Sequence, residues 1–268
     1  MKITVCIPSR NRPVMLADCI GSLHARASGK HEVVYVVGCD DDDPTTIAVV
    51  DLVKARGLPV KAHIAPRSPS LGGMVNVMAA ANPADVYCSL CDDVMAVTLD
   101  WDEAMHAAWR KRPDGVWWWR TKESHYAVVS AKWYAAAGRI FTNYFPFWWD
   151  DVWLIQVGKY VTGKPQQYIE AELQDRAPAT QRMRDLEFWT EFYWSRADER
   201  RAEGNRIRRA LGRPAFRIKP HHELHRNPDY TRRIEEIQAK QGERAPPTPE
   251  YLAAKARAQS LMGQKEAA

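Results

Sequence analysis

A chain of 268 residues can bury a full core, either as one large domain or as a core with an appendage, and 46% hydrophobic residues is ordinary for a globular protein. No apolar run approaches the roughly 20 residues that cross a bilayer. Met1-Lys2 leads into a strand-like segment rather than a signal peptide, and five cysteines, an odd number, argue for reduced thiols; membrane-spanning and disulfide-scaffold classes fall away, and the cytoplasm is the expected compartment.

The formal charge of +5 is unevenly spread. Residues 176–244 hold 17 Lys/Arg against 11 Asp/Glu, an excess of six, so the net positive charge belongs to the C-terminal third. A solvated helical face accounts for most such runs, and an anionic partner or substrate is the other reading.

In chain order, Ile3-Thr4-Val5-Cys6-Ile7 is a short β-branched strand, and the apolar spacing from Val14 to Leu23 predicts a helix. A strand over 31–37, a helix near 46–54, a strand over 60–64, a helix over 74–81 and a strand over 85–90 follow. This alternation predicts an α/β fold with a mostly parallel sheet flanked by helices, whose ligands gather at the carboxyl ends of the strands.

Three polar clusters fall at such ends: Pro8-Ser9-Arg10-Asn11-Arg12-Pro13, Asp40-Asp41-Asp42-Asp43, and Asp92-Asp93. Each alone reads as a polar turn; together they predict one site. Adjacent carboxylates at a strand end offer hard oxygen ligands suited to Mn²⁺ or Mg²⁺ on a diphosphate.

Other metal and nucleotide motifs fail. No G-x-x-x-x-G-K-[ST] occurs, and no G-x-G-x-x-G follows the first strand. An EF-hand loop starting at Asp40 would put Thr45 where glycine is needed and Asp51 where the bidentate glutamate belongs. Cys88 and Cys91 form a C-x-x-C without a second pair, which reads as buried strand thiols rather than a zinc site. His221, Glu223 and His225 miss the zincin spacing by one residue.

Downstream, Trp117-Trp118-Trp119 predicts a strand buried on both faces. Phe188, Trp189, Phe192 and Tyr193 predict a helix packed on the core. Asp150-Asp151 lies in a stretch with seven aromatics between Phe141 and Trp153. Asp150 reads as the cap of a core helix, and an aromatic wall of this kind can raise a carboxylate's pKa. After Pro246-Pro247-Thr248-Pro249 a peripheral helix is expected.

The opening strand with its Pro-Ser-Arg-Asn-Arg turn, the aspartates after the second strand, Leu71-Gly72-Gly73 with Asn76, and Leu90-Cys91-Asp92-Asp93 followed by Thr98-Leu99-Asp100-Trp101 together resemble family-2-like glycosyltransferases of the GT-A (Rossmann-like) fold. The resemblance covers about the first 155 residues and departs from the D-x-D form, because Cys91 holds the first acidic position. It implies a glycosyltransferase domain over 1–225, with a nucleotide-sugar half at about 1–100 and an acceptor half at about 101–225, followed by a basic, helical C-terminal extension over 226–268.

By that resemblance Pro8, Ser9, Arg10, Arg12, Asp40, Asp42, Gly73, Asn76 and Asp92 would contact the nucleotide sugar, a UDP-sugar foremost. Asp93, with a late histidine at His221 or His222, would hold Mn²⁺ or Mg²⁺ against the diphosphate. Asp151, partnered by Asp150, would deprotonate the acceptor hydroxyl, and the outcome would be inversion. Trp148, Trp149, Arg200 and Arg201 would meet the acceptor, a glycan or metabolite. A hydroxymethylated DNA base, as in phage-type enzymes, is the alternative acceptor that the Arg-rich segment allows. A non-catalytic nucleic-acid-binding protein and a nucleotidyltransferase are the readings from other classes, and neither the base nor the sugar is legible.

Overall fold

The structure is a computed structural model, and it describes residues 1–122, 125–176, 185–215 and 246–266. His221, His222 and His225 therefore lie outside the described residues. So does the Arg-rich segment beyond residue 215.

The first half alternates as the sequence predicts: β1 (Lys2–Ser9), α1 (Pro13–Ala25), β2 (Glu32–Asp40), α2 (Pro44–Ala55), β3 (Val60–Ala65), α3 (Leu71–Ala81) and β4 (Val86–Ser89). The helix starts follow local chemistry. Pro13 and Pro44 occupy first-turn positions where their missing N–H costs nothing, and Asp43 and Ser70 accept from Thr46 and Gly73 backbone N–H groups as N-caps. β5 (Val94–Ala96), α4 (Trp101–Lys111), β6 (Val116–Arg120), β7 (Ala127–Ser130) and α5 (Ala131–Ala137) come next. The remainder is α6 (Asp150–Thr162), β8 (Tyr168–Asp175), α7 (Leu186–Ser195), α8 (Ala197–Ala210) and α9 (Pro249–Glu266).

Eight strands form one sheet in the order β3-β2-β1-β4-β7-β6-β8-β5. The β3-β2-β1-β4 block is parallel throughout, and the sheet turns antiparallel at β4–β7, β7–β6 and β8–β5 while β6–β8 is parallel. The sheet is thus mixed, with the parallel character concentrated in the half that carries the polar clusters.

Strand alternation feeds two cores, one on each face. Ile3, Val5 and Ile7 of β1 and Val33, Tyr35 and Val37 of β2 pack with Leu16, Ile20, Val50 and Trp101 of α1, α2 and α4. Cys6, Val34 and Val36 point the other way, into a core with Met74 and Met78 of α3, Trp153 of α6 and Trp189 and Phe192 of α7. Trp118 joins this second core while Trp117 and Trp119 join the first, so the tryptophan run is buried on both faces. Gly38 lets α3 approach β2 closely, since a Cβ there would collide with the Met74 side chain. The expected peripheral helix is α9, which lies on α7: Tyr251 Oη accepts from Trp189 Nε1 at 3.1 Å and donates to Asp185 at 2.7 Å.

The cysteines need one correction. Cys88 is a buried strand thiol as expected, but Cys91 is exposed, because β4 ends at Ser89 and the chain has left the sheet two residues later.

Candidate active site

The parallel block carries Ser9, Asp40 and Ser89 at the carboxyl ends of β1, β2 and β4. The turns beyond them form one polar network. Ser9 Oγ donates to Asp92 Oδ2 at 2.7 Å, and a single guanidinium nitrogen of Arg12 reaches Asp92 Oδ1 at 3.2 Å and Asp93 Oδ2 at 2.8 Å. Arg10 donates to Asp40 at 2.8 Å and grips both oxygens of Asp42. Asn11 N–H donates to Asp43 Oδ2 at 2.7 Å, which binds the first turn to the start of α2.

Two carboxylates in this network are shifted, in opposite directions. Burial raises Asp92 above the ordinary carboxylate range, and its hydrogen bond from Ser9 and the charge of Arg12 only partly offset this. Burial also pushes Asp43 upward, but hydrogen bonds from Thr45, Thr46 and Asn11 outweigh it and hold the acid well below that range.

The second acidic pair reaches the same edge by another route. α3 begins beyond the carboxyl end of β3, and Gly72 in its first turn abuts the start of α6: a Cβ there would lie 2.5 Å from Thr142 O and 2.6 Å from Asp150 Oδ2. Asp150 and Asp151 form the first turn of α6, after Trp149 in the left-handed region at φ 80°. Asp150 is not the cap of this helix. Its Oδ1 instead accepts from the Thr142 hydroxyl, and burial raises it well above the usual carboxylate range, with the neighbouring Asp151 charge adding to the rise. Asp151 is raised as well, chiefly by burial, against the lowering influence of His125. His125 adjoins Tyr126 at the start of β7, and Tyr126 Oη donates to Asp175 at 2.9 Å, whose neighbour Arg176 donates its N–H to Asp93 O at 2.9 Å. Both acidic pairs therefore face the same end of the sheet.

Several expected contacts are placed elsewhere. Asn76 is consumed by the 140–143 loop: its Nδ2 donates to Phe141 O at 2.8 Å, and its Oδ1 accepts from Ile140 N–H at 2.8 Å and Phe141 N–H at 3.1 Å. It positions that loop. Gly73 donates its N–H to the Ser70 cap, and Gly72, not singled out as a site residue, makes the closer approach. Asp40 and Asp42 are both committed to Arg10. Pro8 is half-buried between Ile7 and Ser9 at the end of β1.

The acceptor assignments change most. Trp149 is buried with its ring stacked on Tyr193 at 4.6 Å, while Trp148 is half-buried against the core. Arg200 has no exposed surface; its guanidinium lies 3.7 Å from the Tyr193 ring centroid and donates to Tyr193 O. It is a core residue and meets no acceptor. Arg201 is paired with Asp198, and Arg208 spends its nitrogens on Val161 O at 2.7 Å and Pro214 O at 2.8 Å. Of Arg200, Arg201, Arg208 and Arg209 on α8, only Arg209 is exposed. Residue type and helical spacing do not reveal this, because long side chains on one helical face can turn inward.

No family model matches the chain, and no curated protein does. Solved structures do match in fold. A Staphylococcus aureus TarS 1–349 structure in complex with UDP-GlcNAc aligns with TM-score 0.59 and 13% identity over 96% of this chain and 81% of that one. The mannosyltransferase PcManGT from Pyrobaculum calidifontis, in complex with GDP-Man and Mn²⁺, aligns with TM-score 0.53 and 11% identity over 98% and 75%. GalNAc-T7 with UDP, GalNAc and Mn²⁺ aligns with TM-score 0.60 and 10% identity over 89% of this chain and 57% of that one. The chain spans 37% of the length of another S. aureus TarS structure that it matches. The fold is GT-A-like, a mixed α/β sheet flanked by helices, and similar to those of GT-A glycosyltransferases.

Proposed function

We propose that the chain is a glycosyltransferase that moves a sugar from a nucleoside-diphosphate sugar to an acceptor hydroxyl with inversion. The observation that carries this reading is that Asp92-Asp93 follows β4 at the carboxyl edge of the parallel block and Asp150-Asp151 opens α6 at that same end of the sheet, in a fold whose solved neighbours hold UDP, UDP-GlcNAc or GDP-Man. In this reading the first hundred residues or so carry the donor and the rest of the sheet with α5–α8 carries the acceptor.

Asp93 and Asp92 offer only hard oxygen donors, which fits Mn²⁺ or Mg²⁺ with its remaining positions on phosphate oxygens and water. Bound there, the ion would stabilise charge on the departing diphosphate. Arg12 now bridges both carboxylates, so loading the ion requires the guanidinium to give way; it is then free to pair with a phosphate. Ser9 holds Asp92 in orientation.

Asp151 is the base. Its raised pKa keeps it closer to neutrality than an exposed carboxylate, which suits proton transfer. It removes the hydroxyl proton as the acceptor oxygen bonds to the anomeric carbon, while the bond from that carbon to the diphosphate oxygen breaks and the nucleoside diphosphate leaves. Asp150, held by Thr142, fixes the first turn of α6 beneath it.

The acceptor class favoured is a glycan or small metabolite. A DNA acceptor loses its main support with Arg200 buried and Arg201 and Arg208 committed internally. The test is a thermal-shift screen of UDP-, GDP- and other nucleotide sugars with Mn²⁺, followed by a donor-hydrolysis assay. A donor that raises Tm only with the ion and releases nucleoside diphosphate is the expected result; release of pyrophosphate would turn the reading to nucleotidyl transfer.

A further inference from the structure

The opposite end of the sheet carries a second cluster of ligand-type side chains. His31 lies just before β2, and Glu103 and His106 stand three apart on one face of α4. One ligand atom from each lies within 4.8 Å of the other two. β2 runs nine residues from here to Asp40, roughly 30 Å at about 3.3 Å per residue, so the cluster is remote from the acidic pairs.

His31 is the unusual member. Its side chain is only 7% exposed, yet neither ring nitrogen makes a hydrogen bond. Nε2 faces Glu103 Oε1 at 3.3 Å without hydrogen-bond alignment. A buried imidazole left without partners is costly, which makes this an exception to ordinary satisfaction. The spacing has another meaning: ligands held at about 2.0–2.1 Å in a tetrahedral zinc shell sit roughly 3.3 Å apart. The His106 ring is next to it, with centroids 4.7 Å apart, and is itself stacked on Trp109 at 6.0 Å.

We propose that His31, Glu103 and His106 bind a divalent transition ion of the zinc class. Two imidazoles and one carboxylate match zinc better than Mg²⁺ or Mn²⁺, and water would complete the shell. Lys30 is the competing cation at 3.6 Å from Glu103 Oε1, but its side chain is 69% exposed and can swing into solvent. Asp102 does not compete, since it accepts from Ser28 N–H at 2.7 Å and Ser28 Oγ at 2.6 Å. Those bonds already tie the 28–31 segment to α4, and the ion would lock the same junction. The role is structural, and it does not depend on the proposed transfer reaction.

The test uses the untagged, chelator-stripped full chain. Zn²⁺ titration should give a binding event that Glu103→Gln and His106→Gln each weaken at least roughly tenfold, with Asp93→Ala leaving it unchanged. Zn²⁺ should raise the Tm of the wild type and of Asp93→Ala, and this rise should shrink in the two α4 variants. Both α4 positions are half-buried, glutamine is isosteric with Glu103 and only slightly smaller than His106, and circular dichroism checks their folding. His31→Gln gives a third reading if either fails. Co²⁺ as a probe should produce a tetrahedral spectrum without a thiolate charge-transfer band, which separates this site from exposed Cys91. No Zn²⁺ binding by the wild type, binding unaltered in the variants, or a thiolate band would overturn the proposal.

Discussion

Gly72 and Asp150 face each other across the junction of α3 and α6 with no room for a methyl group on the glycine, where a Cβ would lie 2.6 Å from Asp150 Oδ2. The helix that follows the third strand is thereby seated directly on the carboxylate that opens α6. Gly72→Ala should cost about 1–3 kcal/mol, the range of an overpacked site, because the neighbours are the Thr142 backbone and the half-buried Asp150 carboxylate. Chemical denaturation checks this, and an unchanged midpoint would mean that α6 shifts freely.

One Arg12 guanidinium nitrogen is the shared counter-charge of Asp92 and Asp93. Arg12→Ala should lower Tm in chelator, where two adjacent carboxylates lose their counter-charge. Mn²⁺ should then raise Tm more in the variant than in the wild type, since the competitor for the carboxylates is gone. Equal Mn²⁺ shifts in both proteins would show that the ion binds elsewhere.

Asp151→Asn should leave donor affinity intact while lowering transfer at least roughly a hundredfold. The base works only when ionised, so the rate should fall as pH drops through a pKa above the ordinary carboxylate range. His125 lowers that pKa through its charge interaction with Asp151, so His125→Ala should move the acid limb to higher pH. A pH–rate profile on both variants checks the pair, and a limb that stays put would remove His125 from the account.

Arg200 offers a test of core against surface. Its Nε and one terminal nitrogen are buried without a hydrogen bond, so Arg200→Met should hold or raise stability, as apolar replacement of buried charge often does. Arg200→Ala should instead lose on the order of 2–4 kcal/mol through the cavity beneath Tyr193. Thermal melts distinguish them. Gel shifts on modified and unmodified duplex at two salt concentrations should give no retention for any of the three proteins.

Asp43 caps α2 and binds the Asn11 turn, and its pKa is depressed in the folded state. The sign follows: its stabilisation is present above the unfolded carboxylate pKa and disappears as pH falls through the depressed folded value. Asp43→Ala should cost about 1–2 kcal/mol at neutral pH and little in strong acid. Urea midpoints across the acid range measure the difference.

The parallel block was legible because its strands are β-branched runs and its helices carry apolar residues at helical spacing, signals that survive without tertiary context. β5 and β7 were not. They span only Val94–Ala96 and Ala127–Ser130, too short to show a period, and they acquire strand structure by pairing with β8, β4 and β6. The positions of the acidic pairs were legible, since one follows the apolar run of β4 and the other opens α6. Asn76, Arg200 and His31 were not, because each owes its role to a partner far along the chain: the 140–143 loop, the Tyr193 ring and the α4 face. A polar residue type in the sequence does not say whether water or protein will satisfy it.

The amide of Asn76 has one further consequence, a mechanical one. With its oxygen and its nitrogen both bonded to the 140–143 loop, and Thr142 of that loop bonded to Asp150, a rigid linkage runs from the middle of α3 to the head of α6. A displacement of α3 is delivered to Asp150 through short polar contacts with little slack. In the proposed reaction, a shift of α3 would thus reach Asp151 through its neighbour Asp150.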